Sequence, residues 1–366
     1  METLTVSLGN RSYPIHFVPH LPGLVLREIL QGHPSLKKDA RVLVVTDSNV
    51  GPLYGKDIVD TLNALGAKPD LLTLDAGERS KSLSIVQMVI NRALAHGVTR
   101  ADYIIALGGG VIGDITGFVA AILHRGIPFI QIPTSLLAQV DSAVGGKTGV
   151  NHPSGKNLIG AFWQPAAVIS SQEVLRTLPE RERRCGLAEA VKHGFIGDAE
   201  RLHWIDTHAE DLLSPDSQHV GELVRACCEI KAAFVTEDER DHGRRAILNF
   251  GHTLGHAYER LTEYGQLSHG EAVSLGMVLA ATLSESLEIA KPGLTRDIEK
   301  SLSRLRLPHV PHELAIDIDT LVDAARLDKK ADGDGVRFIL LEKIGQPLIR
   351  RLQWSQIKSG LRKTWS

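Results

Sequence analysis

The sequence predicts an α/β fold: a Rossmann-like N-terminal domain over residues 1–176 joined to an all-helical C-terminal domain over 177–366. Three observations predict it. Short apolar runs closed by turn residues alternate with helical patterns through the first half. A glycine turn with Gly108, Gly110 and Gly113 joins one of those runs to a helix. From about Thr177 the strand-like runs give way to helical patterns.

Taken in order, "METLTVSLGNRSY" alternates apolar and polar residues through Leu4, Val6 and Leu8, which predicts a strand and not a signal peptide. "RVLVVTD" (41–47), "DLLTLDA" (70–76), "DYIIALGGG" (102–110) and "PFIQIPT" (128–134) read as buried strands. Helical segments such as "SIVQMVINRALAHG" (84–97) separate them, so a largely parallel sheet covered on both faces is expected. "VDSAVGGKTGVNHPSGKN" (140–157) is too rich in Gly, Asn and Ser for a regular element and is expected to be a loop. "TLPERERRCGLAEAVKHGFI" then opens a helix with Thr177 and Glu180 placed as a capping box. "SHGEAVSLGMVLAATLSESLEIA" repeats the device with Ser268 and Glu271, and is apolar enough to be buried.

Composition narrows the function. The chain has 366 residues, 43% hydrophobic and 23% charged, with net charge −2. Such a chain buries a large core and gives no support to nucleic-acid binding. Cys185, Cys227 and Cys228 form neither a disulfide framework nor a CxxC metal pair. No apolar run reaches membrane-spanning length, and a cytoplasmic protein is expected.

The glycine turn would let backbone approach a pyrophosphate at a helix N-terminus. The usual acidic residue after the next strand is missing, because "PFIQIPT" ends in Pro133 and Thr134; Asp47, ending the first strand, is the candidate ribose ligand. The "GGKT" of 145–148 is no P-loop, since Asp141 stands where glycine is required. Lys147, Lys156 and Asn157 in the 140–157 segment suit a phosphate or carboxylate, with Asp141 and His152 beside them.

"NFGHTLGHAYE" (249–259) places Asn249, His252 and His256 on one stripe if the stretch is helical, with Arg245 extending it if the helix begins that early. The spacing of the histidines suits zinc, yet Thr253 stands where a zinc protease carries its glutamate. Glu189 lies among small apolar residues with Lys192 one turn on, and His269 opens the next buried helix. A glutamate and two histidines form a sound three-ligand set that leaves a fourth position for substrate. Spacing alone does not decide between His252 and His256. Glu271 is a further candidate ligand, but its capping-box placement accounts for it.

Six motifs in order, "GGGVIGD", "VDSAVGGKTGVNHPSGKN", "GLAEAVKHG", "NFGHTLGHAYE", "LSHGEAV" and "LDKKADG", resemble 3-dehydroquinate synthase over about residues 41 to 345. The resemblance implies an NAD-binding domain, a helical metal-binding domain and a homodimer. It implies that Glu189, His252 and His269 hold zinc, or cobalt or another divalent metal, and that His256 serves hydrogen bonding and proton transfer. NAD would lie along Asp47, Glu78, Lys81, the Gly110, Val111, Ile112, Gly113, Asp114 turn, Thr134, Ser135, Lys147, Lys156 and the Val174, Leu175, Arg176, Thr177 segment. Substrate anions would meet Lys147, Asn157, Lys192, Lys231, Arg245, Asn249 and either Lys329 or Lys330, with Asp141 among the catalytic residues. Arg125 would reach the phosphate held by the partner subunit. Ser135, His193 and Leu254 depart from the usual threonine, tyrosine and phenylalanine without removing a ligand or a charge.

The implied substrate is an acidic sugar phosphate, 3-deoxy-D-arabino-heptulosonate 7-phosphate. It would be converted to 3-dehydroquinate and phosphate by oxidation, β-elimination, reduction, ring opening and aldol closure, a step of the shikimate pathway. Three rivals remain: a sibling sugar-phosphate cyclase, a metal-dependent polyol dehydrogenase, and a non-catalytic zinc- or phosphate-binding protein. Lys231, Arg245, Asn249 and His256 all match the dehydroquinate pattern, which favours an acid substrate.

Overall fold

The computed structural model describes residues 2–21, 26–28, 39–263, 265–328 and 335–363. Lys329 and Lys330 lie outside them. By its internal contacts the chain divides into two units, Met1–Leu178 with Lys231–Arg240, and Pro179–Ile230 with Asp241–Ser366. A single cut at 176/177 does not describe this interleaving.

In the first unit the strands are β1 (Glu2–Val6), β2 (Tyr13–Val18), β3 (Arg41–Asp47), β4 (Lys68–Leu74), β5 (Tyr103–Gly108), β6 (Phe129–Pro133), β7 (Lys147–His152), β8 (Gly155–Phe162) and β9 (Ala167–Ser171). Seven of them form one sheet in the order β1-β2-β9-β6-β5-β3-β4, parallel except for the β1–β2 pair. The period-two alternation of a strand explains its two dry faces. Leu43, Val45, Ile104 and Ala106 belong to one core, and Val42, Val44, Tyr103, Ile105 and Leu107 to the other. Ile58 and Leu62 of helix α1 (Lys56–Ala64) close the second core. The first is closed by α2 (Leu83–His96) and α3 (Gly110–Ile122). Each valine, leucine or isoleucine among them contributes about 1.5–3 kcal/mol by leaving water.

Two expectations need correction in this unit. β4 is an edge strand, half-buried through Pro69, Asp70, Leu71 and Leu72, because it has a neighbour on one side only. Residues 140–157 do not form a loop throughout: β7 and β8 pair as an antiparallel hairpin. The glycines allow it, since Gly149 and Gly160 face each other and a Cβ on Gly160 would lie 2.1 Å from the Thr148 carbonyl oxygen.

The second unit comprises α4 (Glu180–Gly197), α5 (Ala199–Thr207), α6 (Ala209–Leu213), the first turns of α7 (Val220–Glu237), α8 (His252–Leu261), α9 (His269–Ser286), α10 (Leu294–Arg304) and α11 (Ile318–Asp328). It is completed by a hairpin of β10 (Gly335–Lys343) and β11 (Gln346–Gln353), and by α12 (Trp354–Arg362). The hairpin departs from the all-helical expectation. A lone hairpin is marginal in water and needs a helix to pack on; here the Leu341 amide donates to Ser284 Oγ of α9 at 3.1 Å. The last turns of α7 and the residues to Arg240 belong to the first unit, where Arg11 grips Glu239 through bonds of 3.1 and 2.6 Å. No helix among the described residues is long and apolar enough to cross a membrane.

The two capping boxes fare differently. Ser268 and Glu271 form theirs in full at the start of α9. Thr177 and Glu180 do not, because Pro179 occupies the position before α4. The Thr177 hydroxyl instead donates to the Val174 carbonyl and shares a 2.6 Å hydrogen bond with the Tyr54 hydroxyl.

Helix α9 runs almost fully buried, and two of its glycines let backbone touch backbone. A Cβ on Gly276 would lie 2.0 Å from the Gly251 carbonyl oxygen, at the entrance to α8. A Cβ on Gly270 would lie 2.4 Å from the Cys185 carbonyl oxygen in α4. Neither clash can be relieved by a rotamer change. Gly276→Ala is therefore expected to destabilise the fold by about 1–3 kcal/mol, read as a lower urea midpoint with an unchanged m-value.

Candidate active site

Those close approaches bring three helices of the second unit to one point. Helix α4 carries Glu189 and Lys192, α8 carries His252 and His256, and α9 opens with His269. The expected continuous stripe through Asn249 is corrected. Arg244–Asn249 is a 3₁₀ turn, Gly251 adopts left-handed backbone at φ 81°, and α8 begins only at His252. The histidines still share a face because they lie one turn apart within α8.

Glu189 has no exposed surface. Its Oε2 accepts from the Lys192 ammonium, while Oε1 is buried with no hydrogen-bond partner among the described residues. That oxygen lies 3.6 Å from His252 Nε2 and 3.5 Å from His269 Nε2. Zinc bonds of about 2.0–2.2 Å at tetrahedral angles separate ligand atoms by roughly 3.3–3.6 Å. The spacing suits a shared cation better than hydrogen bonds, and the orphaned oxygen would be satisfied by one. His252 Nδ1 donates to the Phe250 carbonyl at 3.2 Å, which leaves the Nε2 lone pair facing Glu189. These residues fit a divalent metal.

The electrostatics agree. Burial lifts the Glu189 carboxyl, but Lys192, His252 and His269 outweigh it and hold it well below the usual carboxylate range. Burial and then Lys192 keep the His252 imidazole well below its ordinary value, so it is neutral. His269 resists its own burial and is pushed up to about 10 by Glu189 and Glu259, so without metal it keeps a proton between the two carboxylates.

Glu259 was missed in the sequence. It is buried on α8, three residues after His256 and seven after His252, and its Oε1 lies 3.5 Å from His269 Nδ1. Extending the histidine stripe by one turn would have found it. Ligand atoms of His256, Glu259 and His269 form a second group within 4.8 Å of one another. Arg245 is buried and Asn249 half-buried on the turn that precedes α8.

In the first unit the predicted dinucleotide residues gather at the carboxyl edge of adjacent parallel strands. Asp47 ends β3, the Gly110–Asp114 turn follows β5, and Thr134 and Ser135 follow β6. This is where open α/β sheets bind ligands. The N-terminus of α3 carries no side-chain cap, so its amides suit a phosphate. Asp47 Oδ1 already accepts from the Asn49 and Val50 amides at 2.9 and 3.1 Å. Val111 lies half-buried on that turn, while Ile112 sits wholly in the core.

Lys81 is buried, donating to Asp114 at 2.6 Å and to Asn157 Oδ1. Burial pushes the Asp114 carboxyl up in spite of Lys81. Asn151, another residue not singled out in the sequence, joins this network, donating to Glu78 Oε1 at 2.7 Å and accepting from the Asn157 amide at 2.9 Å. Lys231 donates to both the carboxylate (2.7 Å) and the backbone carbonyl of Asp141. Lys147 is exposed and Lys156 half-buried on the hairpin. Val174 and Leu175 bury their side chains, whereas Arg176 and Thr177 are exposed. Arg125 is exposed on left-handed backbone, at φ 66°.

Comparison with known proteins agrees with this architecture. The family model "3-dehydroquinate synthase N-terminal" matches residues 71–185, and "3-dehydroquinate synthase C-terminal" matches 186–331. A 3-dehydroquinate synthase of Acidithiobacillus ferrooxidans is 48% identical over 95% of this chain and 94% of its own. A crystal structure of 2-deoxy-scyllo-inosose synthase with carbaglucose-6-phosphate, NAD+ and Co2+ superposes with TM-score 0.88 at 27% identity, covering 99% of each chain. A 2-epi-5-epi-valiolone synthase from Streptomyces hygroscopicus with NAD+ and Zn2+ bound gives TM-score 0.85 at 26% identity, covering 98% of each. With both family models matched end to end, and nearly half of its residues shared with a curated member, the chain belongs to the 3-dehydroquinate synthase family.

Proposed function

We infer that the chain is a 3-dehydroquinate synthase, an NAD- and divalent-metal-dependent lyase that turns 3-deoxy-D-arabino-heptulosonate 7-phosphate into 3-dehydroquinate and phosphate. The observation that carries the chemistry is the buried Glu189 oxygen, with no hydrogen-bond partner among the described residues and flanked by two imidazole nitrogens at 3.5 and 3.6 Å. Glu189, His252 and His269 would hold the ion, taken here as zinc. When bound, the metal supplies Lewis acidity toward an alcohol and the ketone derived from it. When bound, NAD supplies a hydride acceptor at the C5 carbinol that returns the hydride later, so none is consumed.

The remaining roles fall to the chain. Lys192 keeps Glu189 ionised by donating to its far oxygen. His256, one turn beyond His252, is assigned to move the proton of the reacting hydroxyl. Lys147, Asn157, Lys192, Lys231, Arg245 and Asn249 are assigned to the substrate's phosphate and carboxylate, where fixed cations and donors stabilise charge without reorganising. Asp141 fixes the Lys231 ammonium at 2.7 Å, so that cation is oriented before substrate arrives. The uncapped start of α3 and the Lys81–Asp114 pair are assigned to the dinucleotide end.

A cytoplasmic homodimer completes the reading. Exposed Ile122 on α3, and Leu158 and Phe162 on the hairpin strand packed beside it, support a covered face near Arg125. Arg125 is then assigned to the partner subunit's substrate phosphate.

Two experiments test this. Purified protein given the heptulosonate phosphate and catalytic NAD is expected to release one phosphate per substrate, with no net absorbance change at 340 nm, and to stop after chelation. Stoichiometric NADH would indicate a dehydrogenase instead. His252→Ala is expected to lose both metal and turnover, whereas His256→Ala keeps its metal and turns over about 10²–10⁴-fold more slowly. Metal analysis of dialysed His256→Ala decides the assignment within the pair; loss of the ion there would reverse it.

A further inference from the structure

We propose that Glu259 is a positioning residue of the metal centre: its carboxylate holds the Nδ1–H of His269, so that Nε2 is presented to the ion with its lone pair forward. This rests on reading Glu189, His252 and His269 as the ligand set.

The geometry is two-sided. His269 stands between two carboxylates, with Nε2 3.5 Å from Glu189 Oε1 and Nδ1 3.5 Å from Glu259 Oε1. His252 solves the same problem with a backbone carbonyl, its Nδ1 lying 3.2 Å from Phe250 O. At the first residue of α9, by contrast, His269 faces a carboxylate of the neighbouring helix α8 across an ion-pair contact of 3.5 Å, which a bound metal would draw on through the ring. Glu259 is buried there, although Arg260 beside it is exposed. An anion behind a ligating imidazole fixes the tautomer and the ring plane, and makes the metal-facing nitrogen a better donor; losing such a partner typically weakens metal binding about 10–100-fold.

The contact also bears on a competing assignment. Ligand atoms of His256, Glu259 and His269 lie within 4.8 Å of one another, so Glu259 could be a ligand itself. The Oε1 of Glu189, with no hydrogen-bond partner among the described residues, favours the group on the other side of His269 as the one that would hold the ion.

Cobalt(II) is the probe, because its visible absorption reports ligand geometry and its affinity can be measured by competition with a chromophoric chelator, without substrate. Glu259→Gln keeps the shape and an acceptor oxygen but loses the charge; Glu259→Ala loses both. Expected are binding about tenfold weaker for Gln and up to about 100-fold weaker for Ala. Saturation should stay at one ion per chain, with shifted cobalt bands and a cooperative thermal transition retained by the metal-free Gln variant. If the Ala variant does not fold, the isosteric Gln variant carries the test. Unchanged affinity and bands in Glu259→Gln would overturn the proposal. So would loss of its cobalt at saturating metal, which would make Glu259 a ligand. A wild type that binds no cobalt, or a His252→Ala variant that binds it as tightly, would bring down the ligand set itself and the proposal with it.

Discussion

A carboxylate without exposed surface governs the second unit. Taking such an ion out of water costs several kcal/mol even after relaxation, and Glu189 sits on α4 among Leu187, Ala188, Ala190 and Val191, all buried. Its own helix supplies one cation, Lys192, which engages only Oε2. The other oxygen must be answered from outside, by His252 at the start of α8 and His269 at the start of α9. Both are first residues of their helices, so the entry points of α8 and α9 must fall within a few ångströms of Glu189. The glycine contacts are the means: Gly270 seats α9 on Cys185, one turn before Glu189, and Gly276 seats it on Gly251, next to His252. Packing and charge compensation are here one problem with one solution.

What the sequence discloses follows the range of the interactions involved. The strands of the parallel sheet are legible because burial on both faces leaves an unbroken apolar run, as in Arg41–Asp47 and Tyr103–Gly108. The Ser268–Glu271 box is legible because cap and partner are three residues apart. Thr177 and Glu180 have the same spacing, yet Pro179 intervenes and Tyr54, far away in sequence, takes the hydroxyl. The β7–β8 hairpin is hidden because glycine content reads as a loop until Gly149 and Gly160 are seen face to face. A glutamate with two histidines emerges as a chemical set from residue type, and the resemblance alone picks His252 over His256; the meeting of Glu189, His252 and His269 depends on contacts between helices that no local spacing encodes. Glu259 escapes notice for a different reason: a glutamate beside Arg260 reads as solvated helix surface, and only burial shows otherwise.

The charge balance of this centre has a consequence for what it attracts. Glu189 and Glu259 are two anions, and Lys192 answers one of them. Without metal, the two carboxylates push His269 up to about 10, and the proton it keeps answers the other. A divalent ion held by Glu189, His252 and His269 would replace that proton with one more positive charge, in a region of low dielectric where fields are screened far less than in water. A loaded centre would therefore favour an anion more than the metal-free cluster does. Selectivity for an acidic substrate would thus come with the ion and not only from the lysines that contact it, tying recognition of substrate to readiness for chemistry through a single electrostatic switch.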